Sequence, residues 1–236
     1  TMLPDTPDVE AVLFGRSGVA TALASGALAI DMSTIDPIAT RGFHARLAER
    51  GVGFLDAPVS GGDVGARDAT LSVMVGGSDA DAAHATPLLR AMGRTIVHVG
   101  GPGAGQVAKL CNQVVIGGTL AAVSEALVLA AKAGVAPAKV REALLGGFAA
   151  SKVLEVHGRR MLERDFAPGF FARLMRKDAR IAVRAARELD VALPTFEVVA
   201  RDLERLVEEH GETVDYSAFV RLREEDGGAT VGGTPG

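Results

Sequence analysis

The chain has 236 residues, of which 48% are hydrophobic and 23% are charged, and its formal net charge at pH 7 is -4. This length and composition allow one large or two small buried cores, and the scattered basic residues argue against a nucleic-acid-binding surface. The single cysteine, Cys111, excludes an internal disulfide and a multi-cysteine metal site, so its thiol is predicted only to pack.

Short apolar runs alternate with helical patterns up to about residue 100. Strands are predicted at residues 28–33, 53–60, 70–77 and 95–100, and helices at residues 36–51 and 78–93. Strands that alternate with helices in this way are typical of a mainly parallel α/β sheet.

The strand pattern ends after residue 105. A long helix, apolar on most faces, is predicted at residues 106–133, and further helices are predicted from Pro137 and at residues 151–164, 173–189 and 194–210. We therefore expect an α/β domain over residues 1–104 and an all-α domain over residues 105–223. The Gly- and Thr-rich residues 224–236 are predicted to form a disordered tail.

The first residues predict that part of the sheet is missing. The chain begins with Thr1 instead of methionine, and Met2, Leu3 and Pro4 look like the exit of a strand. An α/β sheet seldom begins at the end of a strand. The first domain is therefore expected to lack its first strands.

No membrane segment is predicted. The longest uncharged apolar run lies between Lys109 and Glu125 and is shorter than the ~18 residues of a membrane span. The first residues also carry no basic and apolar leader. We therefore expect a cytoplasmic protein that has no membrane partner.

The stretch VGGPGAGQVAKLCNQ, residues 99–113, is the first candidate site. If a helix begins near Gly105, its first N–H groups can bind an anion, and Lys109 follows one turn later. Asn112 at i+3 and Gln113 at i+4 share or border the face of Lys109. A desolvated lysine has a lowered pKa and can donate a proton. The alternative is an ordinary lysine whose ammonium reaches solvent at the start of a helix.

Three further stretches are candidates. Ser60, Gly61 and Gly62 form either a small nest for a carboxylate or a plain glycine turn. The strand exits at residues 2–4 and 31–34 are places where α/β sheets bind ligands. The basic stretch at residues 173–187 indicates either a solvated helix face or a site for a small anion.

Taken together, these motifs resemble those of the β-hydroxyacid dehydrogenases, a family that includes 3-hydroxyisobutyrate dehydrogenase and 6-phosphogluconate dehydrogenase. The resemblance lies, in order along the chain and to about residue 222, in the stretches MLPDTPDVEAVLFG, DMSTIDP, DAPVSGGDVGARDATLSVMVGG, GPGAGQVAKLCNQ and RKDARIA. It implies a Rossmann-type domain, partial here, followed by an all-α domain. It also implies NAD or NADP as cofactor, a small 3-hydroxy acid or semialdehyde as substrate, and a homodimer or homotetramer.

The resemblance also implies a role for each matching residue. Lys109 falls on the catalytic lysine of the family's glycine, lysine and asparagine signature, with Gly103 and Gly105 before it, and Asn112 is expected to hydrogen-bond the substrate. Ser60, Gly61 and Gly62 fall on the loop that binds the substrate carboxylate. The residues expected to contact the cofactor are Leu3, Pro4, Thr34 and Lys177. No metal is required.

One departure from the family pattern concerns the cofactor. The Rossmann GxGxxG turn, and the acid or arginine that selects NAD or NADP, do not occur in the 236 residues. The coenzyme preference therefore stays open, and we expect weak NAD(P)H binding and a reduced stability. A chain without the dinucleotide turn is also compatible with a non-catalytic remnant that only binds or dimerises.

Residues 146–170 bear on the substrate, because they are similar to the same segment of tartronate semialdehyde reductases. This similarity implies reduction of 2-hydroxy-3-oxopropionate to glycerate, with 3-hydroxyisobutyrate oxidation as the alternative. His157, within the segment, is either a ligand to a substrate hydroxyl or a packing residue.

Overall fold

The structure is a computed structural model that describes residues 1–232. Its contacts divide the chain into two compact units, one at Thr1–Asn112 and the other from Gln113 onward. The first is an α/β unit and the second is helical, in the order that the sequence predicts.

The helices and strands of the first unit follow the predicted alternation. They are α1 (Thr6–Phe14), β1 (Leu28–Asp31), α2 (Pro37–Ala48), β2 (Gly53–Asp56), β3 (Val59–Ser60), α3 (Gly62–Arg67), β4 (Leu71–Gly76), α4 (Asp79–Arg90) and β5 (Gly93–Gly100). The helix α5 (Ala104–Lys132) begins in this unit and continues into the second.

The sheet has the strand order β1, β2, β4, β3, and β5 also pairs with β4. The pairs β1 with β2 and β4 with β5 are parallel, whereas β4 runs antiparallel to both β2 and β3. The prediction of a mainly parallel sheet was therefore wrong for the centre of the sheet, which is mixed. Before β1, Thr1 extends the sheet, because its N-terminal amine donates to the carbonyl oxygen of Ile30 and its carbonyl accepts from Met32.

The predicted single strand at residues 53–60 is two strands. β2 ends at Asp56, and β3 begins at Val59, after Ala57 and Pro58. Proline has no N–H to donate to a sheet, so it interrupts the run and lets the chain change its pairing partner. β3 pairs with β4, and the chain between these two strands forms α3, a short helix that was not predicted from the sequence.

Helices cover both faces of this sheet. Along β2, Phe54 packs in a cluster with Val9 of α1 and Phe43 of α2, whereas the next residue, Leu55, packs in another cluster with Leu89 of α4. Successive side chains of a strand point to opposite faces, so this alternation buries the sheet on both sides.

The second unit is built from α5 and from α6 (Pro137–Leu145), α7 (Lys152–Glu163), α8 (Ala172–Glu188), α9 (Pro194–His210) and α10 (Phe219–Gly227). Its core contains the fully buried side chains Leu127, Leu154, Met161, Met175, Leu203 and Phe219. Gly117 of α5 allows close packing here, because a Cβ at this position would lie 2.8 Å from the ring of Phe196.

The predicted disordered tail was wrong for residues 224–232. α10 includes Glu224, whose carboxylate accepts a hydrogen bond of 2.6 Å from the backbone N–H of Val231. Val231 is fully buried, and its carbonyl oxygen accepts from Arg164. An apolar anchor and a buried carboxylate therefore order this segment, whereas the rest of the predicted tail, residues 233–236, lies outside the described residues.

α5 is long and apolar enough to cross a membrane by length and composition alone. Its most apolar window is 44% buried inside the structure, and the core helix of a globular protein meets the same criteria. The helix contains Lys109 and Glu125, the two charges between which the sequence analysis placed the longest apolar run.

Candidate active site

Two of the predicted cofactor-contacting segments lie side by side at one edge of the sheet. Thr1 continues the sheet next to β1, and the backbone N–H of Leu3 donates to the hydroxyl of Ser33 at 2.8 Å. The two segments end at Pro4 and at Thr34, and both ends therefore lie at the carboxyl edge of the sheet. This edge is where open α/β sheets bind dinucleotides.

The start of α5 packs onto the ends of β2 and β4, and glycine makes this possible. A Cβ on Gly105 would lie 2.5 Å from the carbonyl oxygens of Asp56 and Met74, a distance that real Cβ atoms do not adopt. Gly103, just before the helix, has a φ of 81°, in the left-handed region that favours glycine. The glycines of this stretch therefore bring the first turn of α5 against the sheet.

A buried carboxylate binds that first turn. Asp56, at the end of β2, accepts hydrogen bonds of 2.9 Å from the backbone N–H groups of Gly103 and Gln106. His44 Nε2 lies 3.1 Å from the same carboxylate. A carboxylate that accepts from the first N–H groups of a helix stabilises it both as a cap and through the helix dipole. Sequence analysis placed Asp56 in a strand and did not assign it this role.

Lys109 lies one turn after this anchored start and is only 7% exposed. An ordinary surface lysine keeps its ammonium in water, so this burial disfavours the alternative of a solvent-reaching lysine. Asn112 is half-buried and follows three residues later, on or beside the same helix face. The roles that the glycine, lysine and asparagine signature implies for these two residues stay predictions.

The predicted carboxylate loop contains two successive glycines with positive φ. Ser60 ends β3, and the following Gly61 and Gly62 have φ values of 136° and 64°. Such φ values favour glycine, which accounts for the two glycines at this turn. The loop and the start of α5 both contact β4, since Ser60 pairs with Ser72 and the first turn of α5 packs on Met74.

Gln106 was missed by sequence analysis although it is completely buried. Its side-chain oxygen accepts from the N–H of Ile35 at 3.1 Å, and its side-chain nitrogen donates to the carbonyl of Ser33 at 2.8 Å. Both partners lie more than 70 residues earlier in the chain, so no local pattern indicates them.

Lys177, the remaining predicted cofactor residue, belongs to the second unit. Its ammonium lies 3.0 Å from the carboxylate of Asp178, which also accepts a hydrogen bond of 2.6 Å from the side chain of Gln113. Elsewhere on α8 the basic side chains pair with acidic ones, as Arg180 does with Glu204 and Arg187 with Glu197. Those two arginines therefore fit the solvated helix face, one of the two interpretations of this basic stretch.

His157 packs inside the second unit. Its Nε2 lies 2.5 Å from the hydroxyl oxygen of Tyr216, and the two rings meet edge to face. Burial lowers the pKa of His157, and Arg160 adds to this effect whereas Asp215 opposes it. Burial also raises the pKa of Tyr216. This environment matches the packing alternative for His157.

Two family models match consecutive parts of the chain. The model described as the NAD binding domain of 6-phosphogluconate dehydrogenase matches residues 1–100, and the model described as NAD-binding of NADP-dependent 3-hydroxyisobutyrate dehydrogenase matches residues 103–223. With the α/β unit and the helical unit, these matches define an NAD(P)-dependent oxidoreductase whose cofactor is NAD or NADP.

The chain belongs to the β-hydroxyacid dehydrogenase family, which confirms the resemblance seen in its motifs. It is 46% identical over 223 residues to the 2-hydroxy-3-oxopropionate reductase of Escherichia coli (strain K12), covering 94% of this chain and 76% of the relative. It is 37% identical over 232 residues to the 3-hydroxyisobutyrate dehydrogenase of Pseudomonas aeruginosa, covering 94% and 78%. The solved structure of 3-hydroxyisobutyrate dehydrogenase from Mycobacterium tuberculosis with L-serine is 34% identical, with a TM-score of 0.84 and coverage of 94% and 78%.

The residues of the sheet edge fit the nicotinamide side of such a cofactor. Pro4 and Thr34 each follow the end of an extended segment, and the hydrogen bond between Leu3 and Ser33 holds the two segment ends together. A threonine hydroxyl and backbone groups at this edge suit the carboxamide and ribose of a nicotinamide nucleotide. The GxGxxG turn, which binds the pyrophosphate in Rossmann domains, does not occur in these 236 residues.

Proposed function

We propose that this chain acts in the NAD(P)H-dependent reduction of 2-hydroxy-3-oxopropionate to glycerate. The Escherichia coli relative that carries this activity in its name supports the substrate, because it is 46% identical over 94% of the chain. The observation that carries the chemistry is the burial of Lys109 on a helix whose first turn is bound to the strand ends by Asp56.

In this mechanism Lys109 is the general acid. When bound, the cofactor supplies the hydride that reduces the aldehyde carbon. The ammonium of Lys109 donates a proton to the aldehyde oxygen during reduction and takes it back during oxidation. Asn112, one turn along the same helix, donates a hydrogen bond that orients this oxygen. Burial of the lysine excludes competing water from the proton transfer.

The loop at Ser60 binds the other end of the substrate. The hydroxyl of Ser60 and the N–H groups of Gly61 and Gly62 donate hydrogen bonds to the substrate carboxylate, and charge-assisted bonds of this kind are the stronger ones. A fixed carboxylate and a fixed proton donor together orient the aldehyde carbon toward the cofactor. Leu3, Pro4 and Thr34, all in the first unit, would contact the cofactor.

The alternative substrate is 3-hydroxyisobutyrate. It is supported by the 37% identity of the chain to the 3-hydroxyisobutyrate dehydrogenase of Pseudomonas aeruginosa. The deciding experiment measures kcat/KM for both substrates side by side, with NAD and with NADP in the matching redox state. We expect the larger kcat/KM with 2-hydroxy-3-oxopropionate. A larger value with 3-hydroxyisobutyrate would replace the proposed substrate, and turnover of neither substrate, with NAD(P)H bound, would contradict the proposed function.

The proposal extends to assembly and location. α5 exposes two large apolar side chains, with Val115 67% and Leu129 71% exposed, and such side chains are expected at a subunit interface. We infer a cytoplasmic homodimer or homotetramer. Light scattering on the purified chain gives its mass directly, and a monomer at micromolar concentration would contradict the assembly.

A further inference from the structure

The side chain of Gln106 satisfies two backbone groups of one loop. The loop consists of residues 32–35, and Gln106 binds the carbonyl oxygen of Ser33 and the N–H of Ile35 on either side of Thr34. Gln106 and Ser33 are buried, as is Ile35. Without this amide, one donor and one acceptor of the loop would lose a hydrogen bond in the interior, and buried polar groups without a partner are destabilising.

The same residue belongs to the helix turn that carries the proton donor. Gln106 precedes Lys109 by three residues, less than one turn of α5, and its own N–H donates to Asp56. Both ends of Gln106 are therefore fixed, with the backbone bound to the sheet and the side chain bound to the loop of Thr34.

A second contact extends this connection to the first strand exit. The hydroxyl of Ser33 accepts from the N–H of Leu3 and donates to the carboxylate of Asp31 at 2.6 Å. Through Ser33 and Gln106, the segments that carry Leu3, Thr34 and Lys109 form one hydrogen-bonded network inside the first unit. The residues that would contact the nicotinamide and the residue that would donate the proton thus share one buried support.

We propose that Gln106 is a positioning residue that fixes the loop of Thr34 relative to Lys109, and so aligns hydride transfer with proton transfer. This inference rests on the proposed function, because it uses the roles given to Thr34 and Lys109. Misplacement of a reacting group by about 1 Å can cost roughly 10²-fold in rate, so loss of this amide reduces turnover without loss of the fold.

The first experiment replaces Gln106→Leu, which keeps the approximate volume and removes both hydrogen bonds. The amide of Ile35 should exchange with solvent deuterium at least about tenfold faster, because opening of the loop no longer breaks a buried bond. With bound NAD(P)H, kcat should fall by about 10-fold to 100-fold while KM for the substrate changes by less than about threefold. Unchanged exchange at Ile35, or an unchanged kcat, would overturn the proposal.

A matched control removes a hydrogen bond of the same unit that lies outside this network. The hydroxyl of Thr86 donates to the carbonyl oxygen of Ala82 within α4. Thr86→Ala should leave both the exchange of Ile35 and kcat at their parental values. If this variant lowers kcat as much as Gln106→Leu does, a general loss of stability explains both and the proposal fails.

A second variant, Gln106→Glu, keeps the proposal testable if the leucine variant does not fold. A carboxylate still accepts from Ile35 but repels the carbonyl oxygen of Ser33, whereas a protonated carboxyl donates to it. The ratio of variant to parental kcat should therefore rise as the pH falls. A ratio that does not change with pH contradicts a positioning role.

The outcomes separate this proposal from the proposed function. If Lys109→Ala retains full turnover, the proposed function fails whatever Gln106 does. If Lys109→Ala loses turnover and Gln106→Leu keeps it, the positioning role alone fails. Deuterium exchange of the Ile35 amide can be measured without turnover. It therefore tests the hydrogen bond from Ile35 to Gln106 directly, in the parental chain and in the variant.

Discussion

Two fully buried aspartates, Asp56 in the first unit and Asp215 in the second, have similar surroundings and different consequences. Asp56 accepts from two backbone N–H groups and contacts His44. Asp215 accepts from three backbone N–H groups, from the hydroxyl of Ser217 and from Arg160. Each carboxylate joins segments that lie far apart in the sequence.

The difference lies in what the joined segments carry. Asp56 binds the turn of α5 that precedes Lys109, so its bonds would set the place of the proposed proton donor. Asp215 binds residues 169 and 170 to the short 3₁₀ helix Tyr216–Ala218, where no predicted catalytic or cofactor residue lies. We infer that buried carboxylates with similar backbone hydrogen bonds can serve positioning in one place and stability in another.

The largest expected effect comes from the residue that Asp56 helps to place. Lys109→Ala should lower turnover by about 10²-fold to 10⁴-fold, the usual contribution of a general acid, with little change in the free energy of unfolding. The measurement is steady-state kinetics at saturating substrate and cofactor, with urea unfolding as the control for the fold. Near-parental turnover would remove the proton donor from the mechanism.

Asp215→Ala should show the opposite pattern. Loss of the carboxylate removes one ion pair of Arg160, which keeps its contact with Asp165, and takes the acceptor from the N–H groups of residues 169, 170 and 217. The free energy of unfolding should therefore fall by about 3–5 kcal/mol. Turnover per folded molecule should stay at the parental value below the unfolding temperature. A large loss of turnover at unchanged stability would show that this carboxylate also serves the site, and the comparison would break.

Asp56→Asn tests the other side of the comparison at a smaller scale. The amide nitrogen of asparagine faces one of the two N–H groups, either that of Gly103 or that of Gln106, so one capping bond is lost. We expect a loss of about 1–2 kcal/mol in unfolding free energy and about a tenfold lower turnover. The control is Ser78→Ala, which removes the N-cap of α4. This variant should lose similar stability and no turnover, and equal kinetic losses in both would contradict the positioning role of Asp56.

Local pattern predicted most of the elements, and the reasons are visible in particular residues. Pro137 and Pro194 begin α6 and α9, and Ser78 caps α4, because these residues act within one turn of their own position. The motifs also marked Lys109 and the loop at Ser60 as candidates with alternatives open, and the family resemblance supplied their roles, which stay predictions.

Long-range pairing could not be predicted in the same way. The antiparallel contacts of β4 depend on where the chain turns after Pro58, which the residues of β4 do not encode. Asp56 and Gln106 have partners 47 to 73 residues away, so each looks locally like an isolated polar residue. The order of residues 224–231 depends on the contact of Arg164 with Glu224, which is equally distant in sequence.

The smallest expected effect concerns His157, whose protonation depends on burial and on the nearby Asp215. Burial lowers the pKa of His157 below its usual value, so the unfolded chain takes up a proton more readily than the folded chain. The contribution of neutral, buried His157 to the free energy of unfolding is therefore complete above about pH 7. It decreases as the pH falls through the unfolded pKa of about 6.5, and the decrease ends below the lowered pKa of the folded chain. His157→Gln should flatten the pH dependence of the unfolding free energy in this window. Parental pH dependence in the His157 variant would show that this histidine does not couple protonation to the stability of the second unit.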